Sequence, residues 1–294
     1  MTGTPPWQTW LFVCIAVFAV LTTGLLKPDL MVQMLVLAPF VAVFGLPHGA
    51  LDLPIAGTLL PFQGATGKAL FAGLYLALSG LVVLVWVLVP GPSLFAFLIY
   101  SAVHFSGDWI ESPAALRWSG GAATIGGPAL FHRQEVARIF GYLAPENSAT
   151  LAAICLAAVG GVALAMFIAL LILHPVTRTR AAAEQVAIWI AAALLSPIIY
   201  FIVYFCALHS VRHTVDTVEA LGNPRRALLI AGLVSAVTAL AAVSSVILLD
   251  GFNAGSTIES VSKTIFIGLA ALTVPHMVIV DRFQRQKRDS KRAL

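Results

Sequence analysis

The stretch QVAIWIAAALLSPIIYFIVYFCALH, residues 185–209, decides the fold class, because it contains no charged residue before the histidine that ends it. A membrane-spanning helix needs about 20 consecutive, mainly apolar residues, and this stretch is long enough. The chain continues as FCALHSVRH, residues 205–213, which places two histidines and an arginine at the end of the apolar run. Ionisable side chains are costly inside a bilayer, so these residues are candidates for function.

The whole chain shares this composition. Of its 294 residues 60% are hydrophobic and only 10% are charged, and the mean hydropathy is +0.95. Soluble domains have about 25% charged residues, so the composition predicts an integral membrane protein. We predict an all-α, polytopic helical bundle that forms one domain, residues 1–294. The expected spans number about eight: 8–26, 30–47, 68–89, 93–110, 150–173, 185–209, 227–249 and 262–281.

Two further segments are apolar but contain glycine and proline. WSGGAATIGGPALFH, residues 118–132, is too short and too rich in glycine for a full span. It predicts a short broken or re-entrant helix, which is tolerated at membrane depth only when packed inside the protein. A surface loop with one amphipathic turn is the alternative for this segment. Residues 49–66 contain two prolines, and we expect them to lie at the membrane interface.

The C-terminal tail, residues 282–294, carries six lysines and arginines. Such a basic cluster beside a span normally stays in the cytoplasm and lies against anionic lipid headgroups. We therefore predict a multi-pass protein of the cell (inner) membrane with a cytoplasmic C-terminus. No nucleic-acid partner is expected, since no folded basic domain accompanies the tail.

The chain has seven histidines, and several of them stand one helical turn from another polar residue. At the fourth position after a histidine, about 0.3 acidic residues are expected by chance (7 × 13/294), and two are present. Residues three or four apart share a face of a helix. The motifs are His48 with Asp52, His104 with Asp108, and His209 with His213.

These histidines predict a metal centre. Neutral imidazole is a good ligand for iron, zinc, copper and nickel. A ligating histidine commonly donates its second N–H to a carboxylate, which is a chemistry that Asp52 and Asp108 offer. His276 follows a proline inside the last span, and we expect it to contact a ligand or the substrate. The alternative is that each histidine is a hydrogen-bonded packing residue.

The residues around the histidines include several aromatic side chains. Together they predict a slot for a long apolar substrate, while ordinary packing explains any one of them. Arg212 is expected to extend its charge to the membrane interface or to pair with Asp216. The aromatic residues are Phe44, Tyr100, Phe105, Trp109, Tyr204 and Phe205.

Three pieces of the chain resemble the Brp/Blh family of bacterial and archaeal β-carotene 15,15′-dioxygenases: GLPHGALD at 45–52, HFSGDW at 104–109 and HSVRH at 209–213. The resemblance extends from the second predicted span to the last. It implies an enzyme that cleaves the central double bond of β-carotene with O₂ and releases two molecules of retinal, often supplied to a rhodopsin. It also implies that a non-haem ferrous ion, Fe(2+), is bound by His48, His104, His209 and His213.

Two other functions use the same residues. A carrier or channel for a metal ion or proton would use the histidines and aspartates as a relay. A haem protein for electron transfer would use two of the histidines as axial ligands.

Overall fold

The computed structural model describes residues 6–59, 64–252 and 257–292, and within these ranges every regular secondary-structure element is a helix. The prediction of an all-α protein is confirmed. In chain order the α-helices are α1 (Pro6–Leu26), α2 (Leu30–Phe40), α3 (Leu46–Ala50), α4 (Asp52–Leu59), α5 (Gly64–Leu88), α6 (Pro90–Ser106), α7 (Ala114–Phe131), α8 (Arg133–Gly141), α9 (Glu146–Leu173), α10 (Arg180–Leu194), α11 (Pro197–Tyr204), α12 (Ser210–Leu221), α13 (Pro224–Phe252) and α14 (Thr257–Arg292).

The described helices are those of a membrane protein. Six continuous helical stretches are long and apolar enough to cross a bilayer, and one of them combines α11, a π-helical turn and α12; the expected count of about eight is therefore approximate. The second predicted span is a shorter apolar helical stretch, Leu30–Gly45. The fourth is a 17-residue helix that ends at Ser106. The six are Pro6–Leu26, Gly64–Leu88, Glu146–Leu173, Pro197–Leu221, Pro224–Leu248 and Thr257–Phe283.

The predicted span at 185–209 is not one continuous helix. α10 ends at Leu194, and α11 begins at Pro197. Leu195 and Ser196 have extended backbone, with ψ of 146° and 152°. Proline lacks a backbone N–H and forces the residue before it out of the helical region, so it begins a new helix here. Hydropathy did not predict this break because the residues on both sides of the proline are equally apolar.

The glycine-rich segment at 118–132 is part of one 18-residue helix, so the expectations of a broken helix and of a surface loop were both wrong. Its glycines are sites of close helix approach. A Cβ atom on Gly126 would lie 2.6 Å from the backbone nitrogen of Gly160 in α9. One on Gly121 would lie 2.4 Å from the carbonyl oxygen of Ala102 in α6. The absence of side chains at these positions lets α7 pack against both neighbouring helices.

The chain divides into two compact units. The first contains Met1–Phe40 and Val89–Arg212, and in it α7 packs against α6, α8, α9 and α10, while α1 packs against α10 and α11. The second contains Val41–Leu88 and His213–Leu294, and in it α14 packs against α4, α5 and α13. Leu51 and Ile55 are fully buried in the core of the second unit.

Some predicted features lie outside the described residues. The backbone of His48 lies in α3, but its side chain is not among those described. The same holds for the basic side chains of the tail after Arg282.

Candidate metal centre

Two five-residue π-helical turns stand beside the histidine motifs. One, Val41–Gly45, ends just before α3, and the other, Phe205–His209, ends on a candidate ligand. On a regular α-helix, residues five apart such as Tyr204 and His209 point about 140° away from each other. The wider π turn brings these two side chains to the same carboxylate. Such turns occur frequently at functional sites.

The first unit contains a buried Tyr–Asp–His arrangement, which we call the Asp108 group. The hydroxyl of Tyr204 donates to Oδ2 of Asp108 at 2.5 Å, and Nδ1 of His209 lies 3.0 Å from Oδ1. Tyr204 and His209 are almost completely buried. An ionised carboxylate only accepts hydrogen bonds, so Nδ1 carries a proton. In neutral imidazole this leaves the lone pair on Nε2.

Asp108 reaches His209 because the helix before it ends early. α6 stops at Ser106, and Gly107–Trp109 form a 3₁₀ turn. The sequence spacing indicated that Asp108 would share a helix face with His104, but the turn directs the carboxylate to a histidine on another helix. Each aspartate in the predicted motifs thus forms its hydrogen bond with a histidine distant in sequence, as the Asp52 contact described below also shows.

The electrostatics of the first unit keep Asp108 ionised. This residue lies outside the six candidate spans. Burial alone would raise the pKa of Asp108, but the hydrogen-bonded imidazole of His209, the positive charge of Arg212 and the hydrogen bond from Tyr204 together lower the pKa below its usual value. A carboxylate is therefore available to hold the imidazole in one tautomer and orientation.

Aromatic rings surround His209. The ring centroid of His104 lies 4.7 Å away in an edge-on arrangement, and that of Phe105 lies 4.9 Å away. The ring of Phe205 stacks on His209 with centroids 5.7 Å apart. The structure thus brings together two predicted ligands and the predicted aromatic residues Phe105, Tyr204 and Phe205.

Arg212 differs from both expectations for it. Its side chain is buried, and its ion-pair partner is Glu184, with a nitrogen-to-oxygen distance of 2.8 Å. A second guanidinium nitrogen donates to the backbone carbonyl of Asp108 at 3.0 Å. Arg212 is therefore tied to the turn that carries the carboxylate, rather than extended to the membrane interface.

Glu184 was not predicted from the sequence, and neither was Tyr75, which is described below. Besides Arg212, Glu184 accepts hydrogen bonds from the hydroxyl of Thr9 at 2.5 Å and from the indole nitrogen of Trp109 at 3.1 Å. Trp109, predicted to line the substrate slot, thus makes a polar contact. The available signal was an acidic residue directly before the apolar run at 185–209.

The second unit contains a matching arrangement, the Asp52 group. Nδ1 of His276 lies 2.7 Å from Oδ1 of Asp52, and the hydroxyl of Tyr75 lies 2.8 Å from Oδ2. The same hydroxyl also lies 3.1 Å from the backbone carbonyl of Leu272. Asp52 and His276 are both buried. As in the first unit, the aspartate is hydrogen-bonded to a histidine outside its own motif.

A second imidazole stands beside the Asp52 group. The rings of His213 and His276 meet edge-on, with centroids 5.1 Å apart. Phe44, another predicted substrate contact, is half exposed.

The donor set fits a metal ion. A carboxylate hydrogen bond on Nδ1 is the usual way in which proteins orient a ligating histidine. Within the described residues, the Nε2 atoms of His209, His213 and His276 are buried. The same residues contain no cluster of three or more His, Cys, Asp or Glu side chains placed to hold a metal, so the fit rests on the histidine pair in each unit.

The fold and these groups define a class: a polytopic α-helical membrane protein whose buried imidazoles are oriented by carboxylates. Comparison with known proteins narrows the class. Residues 40–284 match the family model described as Beta-carotene 15,15′-dioxygenase, and the chain belongs to this family. The resemblance noted from the three motifs is thereby confirmed.

Two named relatives cover most of the chain. A beta-carotene 15,15′-dioxygenase from uncultured marine bacterium 66A03 is 31% identical, over 82% of this chain and 90% of the relative. A probable beta-carotene 15,15′-dioxygenase, Blh, from Halobacterium salinarum is 25% identical, over 94% of this chain and 91% of the relative. No solved structure matches the chain.

Proposed function

We propose that the protein is a membrane-embedded dioxygenase that cleaves the central 15,15′ double bond of β-carotene with O₂ and releases two molecules of all-trans-retinal. The match of residues 40–284 to the dioxygenase family is the observation that supports this most strongly. The matched region contains both Tyr–Asp–His groups and all the histidines that they orient.

The proposed cofactor is a ferrous ion, and its proposed ligands, taken from the motif resemblance, are His48, His104, His209 and His213. Imidazole nitrogens suit iron, and the described geometry of His209 and of the adjacent His104 ring supports their assignment. When bound, ferrous iron supplies one-electron chemistry toward O₂, which redox-inactive zinc lacks.

The protein's own residues orient the ligands and keep out water. Asp108 holds the proton on Nδ1 of His209, so that Nε2 is the nitrogen presented to a metal. Tyr204 holds the second oxygen of the carboxylate, and Arg212 holds the turn that carries it. Each of these contacts removes freedom from an imidazole that must stay in one orientation through repeated turnover.

The proposed substrate contacts are the six aromatic residues of the predicted slot. Phe105 and Phe205 pack against the imidazole of His209 and are themselves buried, so they exclude water there. A rigid polyene needs such an apolar surface on both faces. The indole N–H of Trp109 and the hydroxyl of Tyr204 bind carboxylates, which leaves their ring faces for apolar contact.

The proposed setting follows from the substrate. β-Carotene dissolves in the bilayer, so an enzyme of the cell (inner) membrane, with its basic C-terminus in the cytoplasm, meets it without a carrier. A retinal-binding rhodopsin in the same membrane is the proposed recipient of the product.

Expression of the chain in bacteria that accumulate β-carotene tests this function. We expect the orange colour to fade and retinal to appear in the extract. His104→Ala and His209→Ala are expected to abolish both effects. His174→Ala, at the exposed end of α9, is the matched control and should bleach the cells as the wild type does. Bleaching by the first two variants would contradict the proposed ligands, and orange cells with the wild type would contradict the activity.

A further inference from the structure

A cavity of about 460 Å³ lies within the first unit and shares no residue with either Tyr–Asp–His group. Its lining comes from the connection between α1 and α2, from α8, and from the break between α10 and α11. We call it the Lys27 cavity, after the residue that follows α1. Sites for small molecules have volumes of about 300–1,000 Å³, so this cavity is large enough for a ligand. Its polar lining residues include Lys27, Asp29, Gln33, Glu135, Arg138 and Ser196.

The Lys27 cavity lies beside the ends of two membrane-spanning helices. The candidate span Pro6–Leu26 ends one residue before Lys27, and the candidate span Pro197–Leu221 begins one residue after Ser196. Lysine and arginine beside a span lie at the level of the lipid headgroups. Leu194, which also lines the cavity, is 60% exposed. The lining thus combines charged and exposed apolar side chains, as the site of an amphipathic ligand requires.

The cavity is lined by charges of both signs. Lys27 and Arg138 are positive and exposed, while Asp29 and Glu135 are negative. Among the residues that the structure describes, the ion pairs involve none of these four side chains. Charges that already neutralised one another would have little left to offer a ligand. These four remain available to a ligand that carries both a negative and a positive group.

Hydrogen bonds hold the cavity lining in place. The side-chain amide of Gln33 donates to the backbone carbonyl of Pro28 at 2.9 Å, and its Oε1 accepts from the hydroxyl of Ser196 at 2.8 Å. Gln33 therefore joins the α1–α2 connection to the start of α11. Asp29 caps α2, since its Oδ1 accepts from the backbone N–H of Val32 at 2.9 Å. A site that is already ordered loses less entropy when a ligand binds.

We infer that the Lys27 cavity binds the headgroup of a phospholipid that carries both a phosphate and an amine. The phosphate meets Lys27 and Arg138, and the ammonium meets Glu135 and Asp29, whose carboxylate can accept further hydrogen bonds. The acyl chains lie against exposed apolar side chains such as Leu194. A headgroup with a phosphate alone is disfavoured, because it places a negative charge near two carboxylates. The inference requires only that the chain spans a membrane.

Native mass spectrometry of the purified, full-length protein in neutral detergent tests the inference. The lipid-depleted protein is titrated with phosphatidylethanolamine, with phosphatidylglycerol, which has no amine, and with soluble phosphoethanolamine, which has no acyl chains. We expect the wild type to bind phosphatidylethanolamine most tightly of the three. Phosphatidylglycerol bound as tightly would overturn the role of the carboxylates. Phosphoethanolamine bound as tightly would mean that the cavity takes a free phosphate ester, and would overturn the assignment of a lipid.

Substitutions in the lining test where the lipid binds. Lys27→Gln and Arg138→Gln are each expected to weaken the binding of phosphatidylethanolamine by about two- to fivefold, the range for loss of an exposed ion pair. Arg133→Gln is the matched control, because Arg133 is an exposed arginine of the same helix as Arg138 but does not line the cavity. Wild-type affinity in the double variant Lys27→Gln/Arg138→Gln, or an equal loss in Arg133→Gln, would overturn the inference.

Glu135→Gln tests the amine half of the headgroup. It is expected to weaken the binding of phosphatidylethanolamine by about two- to fivefold and to leave that of phosphatidylglycerol no weaker, since the latter has no ammonium to lose a partner. An equal loss for both lipids would overturn the contact between Glu135 and the amine. None of these side chains is a proposed metal ligand, and the readout is lipid binding. Failure of the dioxygenase proposal would therefore leave this inference standing, and the reverse also holds.

Discussion

The Asp108 group and the Asp52 group use the same three residue types in different surroundings. Asp108 belongs to a charged network, because Arg212 binds its backbone carbonyl and Glu184 pairs with Arg212. Asp52 is held by a tyrosine whose hydroxyl also contacts a helix carbonyl. The same local geometry thus stands once beside a buried ion pair and once beside a tyrosine hydroxyl that also contacts the backbone.

This difference predicts how sensitive folding is to substitutions in each group. A buried ion pair contributes little net stability when intact, but removal of one partner leaves an uncompensated charge. Loss of a neutral hydrogen-bond partner costs much less. Substitutions around Asp108 should therefore affect folding more than equivalent substitutions around Asp52.

The largest effect is expected for Glu184→Leu. This change leaves the guanidinium of Arg212 buried without its ion-pair partner, at a cost of about 3–5 kcal/mol in the free energy of unfolding. The measurement is thermal or denaturant unfolding in detergent. Arg212→Met added to Glu184→Leu should recover part of the loss, because the unpaired charge is then removed.

The exposed pair between Glu259 and Lys263 provides the control for Glu184→Leu. These side chains are 36% and 41% exposed and lie one turn apart on α14. Such pairs contribute about 0.3–0.5 kcal/mol, so Glu259→Gln should change stability little. Equal losses in the two variants would show that the Arg212 network does not differ from a surface pair.

The next effect is a difference in metal affinity between Asp108→Asn and Asp52→Asn. Both remove a carboxylate from Nδ1 of a histidine, but only His209 is among the proposed ligands. Asp108→Asn is therefore expected to weaken binding by about 10- to 100-fold, and Asp52→Asn to weaken it less. Titration of the metal-free variants with Fe²⁺ measures the difference, and a reversed order would contradict it.

Much of the fold was predictable from sequence because hydrocarbon imposes simple rules. Long apolar runs predicted the spans, and rare intramembrane histidines predicted the candidate ligands. Local exceptions were not predictable from hydropathy. Pro197 interrupts a run whose apolar character is unchanged. Gly126 lies in a segment predicted to be a broken helix or a loop, but in the structure it allows a close helix contact with Gly160.

The pairing of site residues was also beyond the sequence. Spacing favoured contacts within each motif, whereas the short 3₁₀ turn after α6 directs Asp108 to His209 and the start of α4 places Asp52 on His276. These partners are 101 and 224 residues apart, so only the tertiary fold can select them. Glu184 was not predicted for the same reason, because its partners Thr9 and Trp109 are 175 and 75 residues away.

Tyr204→Phe is expected to have an intermediate effect. It removes the 2.5 Å hydrogen bond to Asp108 from a side chain that is only 1% exposed. Hydrogen bonds to charged groups contribute about 1.5–3 kcal/mol, so the loss of unfolding free energy should fall in this range. A Tyr204→Phe variant as stable as the wild type would show that His209 alone suffices to hold the carboxylate.

Tyr75→Phe should have the smallest effect of the series, although it removes the equivalent hydroxyl from the Asp52 group. The single hydroxyl hydrogen of Tyr75 is shared between Asp52 and the carbonyl of Leu272, at 2.8 and 3.1 Å, so neither bond has full strength. We expect a loss of about 0.5–1.5 kcal/mol, the usual net value of one hydrogen bond. The two Tyr→Phe variants should be unfolded side by side in the same detergent. A larger loss of unfolding free energy for Tyr75→Phe would mean that the Asp52 group depends on its tyrosine more than the Asp108 group does. The contacts of Arg212 would then be sufficient to hold Asp108 in place.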